Sequence, residues 1–155
     1  MEITGTYTFD APPDVVWALL MSPADISMCI PGCHGLEPDG DNRYRARLTV
    51  ALAAITGTYD GVVALSDLVP GVSYRLTAEG QGKSGFVRGS SFISFRADGD
   101  ATIVEVRGAV QTGGAIARLG QRLIGGVSKL MMDRFFGCLQ SRLKGRRRAS
   151  ILELT

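Results

Sequence analysis

The chain has 155 residues, 45% of them hydrophobic and 21% charged, which is the make-up of one globular domain large enough for its own core. No run of 18 apolar residues occurs, and Met1 to Asp10 alternates apolar with polar, so neither a membrane span nor a secretory leader is expected. The net charge of +2 conceals a division, with nine Lys/Arg against two acids from Arg118 onward and eight against thirteen before it.

Glu2 to Phe9 reads as a strand with Ile3, Gly5, Tyr7 and Phe9 on one face. Asp10 is placed to cap a helix whose first turn takes Pro12-Pro13 and whose body carries Val15, Val16, Trp17, Leu19 and Leu20. A second short helix is predicted from Pro23 to about Met28, capped by Ser22, and Cys29-Ile30-Pro31-Gly32-Cys33 then connects tightly into a sheet. Alternation predicts strands over Arg43–Ala53, Ile55–Leu65, Ser73–Gln81, Phe86–Ala97 and Thr102–Thr112, separated by turns such as Pro38-Asp39-Gly40-Asp41-Asn42 and Val69-Pro70-Gly71. Gly113 to Lys144 is the one stretch long and periodic enough for a long helix, with Ile116, Leu119, Leu123, Val127, Leu130 and Met131 along one face. Lys144 to Thr155 reads as a basic tail, densest at Lys144, Arg146, Arg147 and Arg148.

The order of one strand, two short helices, six strands and a long helix predicts an α+β helix-grip domain over residues 1–143, a curved antiparallel seven-stranded sheet wrapped around the last helix. Because side chains alternate across a strand, parity assigns one inward face. It carries Tyr44, Leu48, Val50, Ile55, Tyr59, Gly61, Val63, Tyr74, Leu76, Val87, Gly89, Ser91, Ile93, Val104 and Val106, and no Asp or Glu. Inward glycines and strong curvature predict volume left between sheet and helix. A dry void of 300 Å³, the lower bound of ligand pockets, would cost on the order of 7 kcal/mol. An apolar guest is the cheapest occupant. Its expected walls are that sheet face, Trp17 and the apolar stripe of the helix.

Catalytic and metal readings fare worse. Gly80-Gln81-Gly82-Lys83-Ser84-Gly85 matches a dinucleotide fingerprint in letters, but a strand follows it where a helix N-terminus is needed, so a hairpin turn is expected. Cys29, Cys33 and His34 lie within six residues, without a second cluster to complete four zinc ligands. Buried small thiols beside a turn are the simpler reading. Three cysteines, an odd number, predict no secreted disulfide framework and a reducing, cytoplasmic setting. His34, the single histidine, has no nucleophile beside it in sequence. The basic tail next to Ile151, Leu152 and Leu154 is suited to an anionic membrane surface or an acidic partner.

Phe9-Asp10-Ala11-Pro12, Val16-Trp17-Ala18-Leu19-Leu20 and Cys29-Ile30-Pro31-Gly32-Cys33 together resemble the family of the carbon monoxide dehydrogenase G-type subunit. So do Gly57-Thr58-Tyr59 with Gly61, the Gly85-Phe86-Val87 stretch with Gly89, and Gly113-Gly114 ahead of Gly120-Gln121-Arg122-Leu123. The likeness spans about residues 1–143 and belongs to the helix-grip superfamily of START and pollen-allergen-like domains. It implies a non-catalytic accessory protein of a molybdenum carbon monoxide dehydrogenase or related molybdenum hydroxylase. It further implies an apolar ligand such as menaquinone, ubiquinone or a lipid, no covalent cofactor, no nucleic acid, and peripheral contact with the inner face of the cell membrane through Lys144 and Arg146 to Arg148. The rival expectations are a polyketide cyclase/aromatase-like enzyme and a ligand-free docking or maturation factor.

Overall fold

The computed structural model describes residues 1–51 and 55–154, with 147–154 as helical backbone. The end of the predicted strand at Leu52 and Ala53, and the side chains of Arg147 and Arg148, lie outside that description. β1 (Glu2–Phe9) leads into α1 (Pro13–Leu20) and α2 (Pro23–Cys29), followed by β2 (Cys33–Pro38), β3 (Arg43–Val50), β4 (Gly57–Val69), β5 (Ser73–Gly82), β6 (Gly85–Asp98) and β7 (Ala101–Gly113). A 3₁₀ segment, Gly114–Leu119, then precedes α3 (Gln121–Leu154). The strands form a single antiparallel sheet in the order β1-β7-β6-β5-β4-β3-β2. This is the helix-grip arrangement read from the order of elements.

Local chemistry places the short elements. Pro13 opens α1 and Pro23 opens α2, where a missing N–H costs nothing. The Ser22 hydroxyl caps α2 by accepting the Asp25 N–H at 3.4 Å. The N-cap position of α1 falls to Pro12 rather than Asp10, the Pro12 carbonyl accepting the N–H groups of Val15 and Val16. Gly32, at φ +75°, carries the turn from α2 into β2. A Cβ there would lie 2.1 Å from the Thr49 carbonyl oxygen, so no larger residue fits.

The register confirms the parity argument strand by strand. Leu48 faces Tyr59, Leu76 faces Ser91, Tyr74 faces Ile93, and Phe95 faces Val104, all on the concave side. One end of that side is densely packed. Phe9, Val16, Leu19, Leu20, Tyr74, Ile93, Val104 and Leu139 are at most 3% exposed and form the main core, with Trp17 set edge-on to Tyr74 at 5.6 Å. Tyr7 stacks on Phe136 at 4.2 Å, and its hydroxyl donates to Asp133 at 2.7 Å, which seats α3 on β1. The outer face carries paired charges: Arg47 with Asp60, Arg75 with Asp67, Arg88 with Glu79 and Arg96 with Glu105.

Two features depart from the sequence reading. The long helix does not begin at Gly113, which ends β7; Gly114 (φ +71°) and Gly120 (φ +86°) bracket the 3₁₀ segment, and α3 starts afresh at Gln121. Its C-terminal end continues through Lys144 as helix to Leu154. Nor are the cysteines all free thiols. Cys29 of α2 and Cys138 of α3, 109 positions apart, form a disulfide, and Cys33 is the free cysteine among the described residues. The bridge lies beside a second clasp between the same helices. The fully buried carboxylate of Asp25 accepts from Arg142 Nε at 2.7 Å and also from Arg146.

Candidate functional site

At the end of the concave face away from the main core, sheet and helix separate around a cavity of about 220 Å³. Its walls come from five places. β3 supplies Leu48 and Val50, β4 and the residues before it Tyr59 and Ile55, and β6 Val87; Ile116 and Leu119 of the 3₁₀ segment close one side. The first turns of α3 contribute Leu123, Ile124, Val127, Ser128 and Met131. Among the described lining residues, Tyr59 and Ser128 carry the only side-chain hydroxyls or other hydrogen-bonding groups. The Tyr59 hydroxyl already donates to the Ile55 carbonyl at 2.7 Å, which leaves the Ser128 hydroxyl as the available polar handle.

The cavity is half open. Leu123 lines it and is still 42% exposed, whereas Ile116 is 3% exposed and forms the floor of the 3₁₀ segment. That segment is fastened to the β5–β6 turn by the Ile116 N–H, which donates to the Ser84 carbonyl at 2.9 Å. Gly85 makes the close approach possible: at φ +128° it lies against Gly113, whose carbonyl oxygen would be 2.0 Å from a Cβ. The motif that resembled a dinucleotide fingerprint is thus a β-hairpin turn that anchors the cavity wall. A dry void of about 220 Å³ would cost on the order of 5 kcal/mol, so water or an apolar guest is the natural filling.

Of the residues expected to wall a ligand site, the structure brings Leu48, Val50, Tyr59, Val87, Ile116, Leu119, Leu123, Val127 and Met131 around this cavity. Trp17, Tyr74, Leu76, Ile93, Val104 and Val106 belong instead to the main core or pack on it. Burial there pushes the Tyr74 hydroxyl well above the usual phenol range. Tyr44, Gly61, Val63, Gly89 and Ser91 share the concave face without lining the cavity, and Leu130 is 37% exposed beside it. The inward glycines differ in the space they leave. A Cβ on Gly61 would come to a tight 3.0 Å from the Glu79 carbonyl oxygen and one on Gly89 to an ordinary contact of 3.5 Å from that of Ala109, whereas one on Gly80, opposite the lining residue Val87, would meet open space. The 3₁₀ segment and the start of α3 form the wall opposite β3 and β4.

Sequence reasoning missed Ile124 and Ser128. The face read from the sequence supplies Leu123, Val127 and Met131 to the lining, and Ile124 and Ser128, one position on from Leu123 and Val127, widen it. A second hollow, about 380 Å³, shares Ile124 and is lined by Met1, Phe86, Val110, Gln111, Thr112 and Gln121. It is larger, but its polar walls make the first cavity the better apolar site. His34 lines neither: it is exposed, with Nε2 2.7 Å from the Thr49 hydroxyl. Lys144 is exposed and Arg146 is committed to Asp25. Among the described residues no group of three or more His, Cys, Asp or Glu is placed to hold a metal ion.

A comparison with curated protein sequences finds no match. Among solved structures, a conserved protein from Geobacillus kaustophilus is 32% identical, with a TM-score of 0.90 over 94% of this chain and 96% of that one. A START superfamily protein from Mycobacterium smegmatis shares the fold at 9% identity (TM-score 0.71; 93% of this chain, 97% of that one). The Zhui aromatase/cyclase from Streptomyces sp. R1128 shares it at 16% identity (TM-score 0.68; 97% of each chain). The family model for CoxG, the carbon monoxide dehydrogenase G-type subunit, matches residues 5–144, almost the whole of the sheet and the gripped part of α3, and the chain belongs to that family.

Proposed function

We propose that this protein is a non-catalytic accessory component of a molybdenum carbon monoxide dehydrogenase-type system. In this reading it carries an apolar molecule, an isoprenoid quinone (menaquinone or ubiquinone) or a lipid, between the sheet and α3. It thereby helps couple the enzyme to the inner face of the cell membrane. The observation that carries the reading is the half-open cavity, walled by apolar side chains with one free hydroxyl. A volume of about 220 Å³ takes a quinone ring and the first part of its chain, and the rest must leave past the exposed Leu123. No helix among the described residues is long and apolar enough to cross a membrane, so contact of the peripheral kind fits the proposal.

Native mass spectrometry of the purified protein, before and after organic extraction, tests it. The expected result is a co-purifying apolar mass that extraction removes and added menaquinone or ubiquinone restores. A protein that carries nothing and takes up neither quinone defeats the reading. Val127→Trp places an indole in the cavity from the helix side. It should weaken uptake of 2-methyl-1,4-naphthoquinone at least tenfold with the circular dichroism spectrum unchanged; equal uptake by variant and parent would place the ligand elsewhere.

The shared fold with an aromatase/cyclase supports a second reading as an enzyme. Such chemistry needs an acid or base against the substrate, and the cavity lining offers two hydroxyls, one of them already bonded to backbone.

A further inference from the structure

The cations around the cavity opening differ from those elsewhere on the sheet. On the outer face, Arg47, Arg75, Arg88 and Arg96 each hold an acid, and near the other end of α3 Arg142 and Arg146 share Asp25. Lys83, Arg118 and Arg122 hold none among the described residues, and all three are exposed. The fold brings them to one rim. Lys83 precedes Ser84, whose carbonyl fastens the 3₁₀ segment; Arg118 lies on that segment, and Arg122 lies in the first turn of α3 beside Leu123. Arg107, Arg134 and Lys144 are also outside any ion pair among the described residues, but they lie on β7 and farther along α3.

We infer that this rim, rather than the basic C-terminal end, is the face that meets an anionic bilayer surface. Three unpaired charges of one sign call for an anionic partner. The exposed Leu123 and Leu130, one on the cavity lip and the other two turns along α3, call for a partner that is also apolar just below its charged layer. A lipid surface supplies both, and docking there opens the cavity directly onto the acyl region. This assignment rests on the cavity being a site for an apolar ligand, because only then does the orientation have a use.

Flotation of the full-length protein with vesicles of phosphatidylcholine, with and without 30 mol% phosphatidylglycerol (about that fraction suffices to make the surface anionic), tests it. Binding should require the anionic lipid and fall with added salt. A triple Lys83→Gln, Arg118→Gln, Arg122→Gln variant should lose roughly a hundredfold in partition coefficient. A Lys144→Gln, Arg147→Gln, Arg148→Gln variant should stay within about threefold of the parent, an allowance for residual long-range attraction. Absence of binding by the parent, undiminished binding by the rim variant, or a loss confined to the C-terminal variant would each overturn the inference. Uptake of 2-methyl-1,4-naphthoquinone without vesicles is measured on the same samples. Uptake without flotation sinks the docking face and leaves the cavity reading intact, whereas flotation without uptake sinks the cavity reading and with it the reason for this orientation. The rim variant must retain uptake and thermal stability, which shows that it is folded.

Discussion

Opening the Cys29–Cys138 bridge should lower the free energy of unfolding by about 3–5 kcal/mol, because it frees a loop of more than a hundred residues in the unfolded chain. For a domain of this size that is a fall in midpoint of roughly 10 °C. The bridge ties α2 to α3 at a place where Cys29 is 3% exposed, so its loss also loosens the lid of the main core. Thermal unfolding with and without dithiothreitol, beside Cys138→Ser, makes the comparison. The reduced parent and the variant should melt together, both below the oxidised parent. If dithiothreitol leaves the parent unchanged while mass spectrometry counts three free thiols, the bridge is not part of the protein in solution. Cys33, close in sequence but outside the bridge, serves as the control: Cys33→Ser should leave the effect of reductant intact.

The contrast between Tyr59 and Tyr74 shows what was legible beforehand. Both lie on the concave face, as alternation requires, yet one lines the cavity and the other sits in the main core. Parity fixes which side of the sheet a residue faces; it carries no information on how far along the strand the helix reaches. The position of α1 over the Tyr74–Ile93–Val104 end is a tertiary fact, and so is the gap over the Leu48–Tyr59–Val87 end. The order of elements, by contrast, was readable from Ser22-Pro23, Pro38-Asp39-Gly40 and the long alternating runs, because caps and turns are local. Gly113 to Lys144 reads as one helix, and its break into a 3₁₀ segment and α3 turns on the positive φ of Gly114 and Gly120, which periodicity does not register. Cys29 and Cys138 gave no such signal, since only folding brings residues 109 positions apart together. Nothing local to Asp25 marks it out either, since its partners Arg142 and Arg146 lie more than a hundred positions away.

That aspartate carries the second large effect. Its carboxylate is fully buried and is bonded by the side chains of both Arg142 and Arg146, which themselves reach solvent at 36% and 55% exposure. Burial alone would raise its pKa, but hydrogen bonds from Ser22, Arg142 and Arg146, together with the charge of Arg146, outweigh it and hold the carboxyl below its ordinary value of 3.8. Asp25→Asn removes the charge at constant shape and should cost about 2–3 kcal/mol, at the lower edge of the range for a broken buried pair because the guanidinium groups retain water. Arg146→Gln, which leaves Arg142 in place, should cost about 1 kcal/mol. The sign of the pH effect follows from the depressed value. The folded protein holds the ionised form more tightly than the unfolded chain does, so the contribution is complete above about pH 5 and disappears as pH falls through the folded-state pKa. Denaturant unfolding of parent and Asp25→Asn should therefore differ most at neutral pH and converge in acid. A gap that stays constant down to pH 2.5, on the order of a unit below the ordinary carboxylate value, would show that packing rather than ionisation sets the cost. Convergence would establish that α3 beyond Leu139 is held to α2 by charge, and that one cation of the basic end is spent inside the fold before any partner arrives.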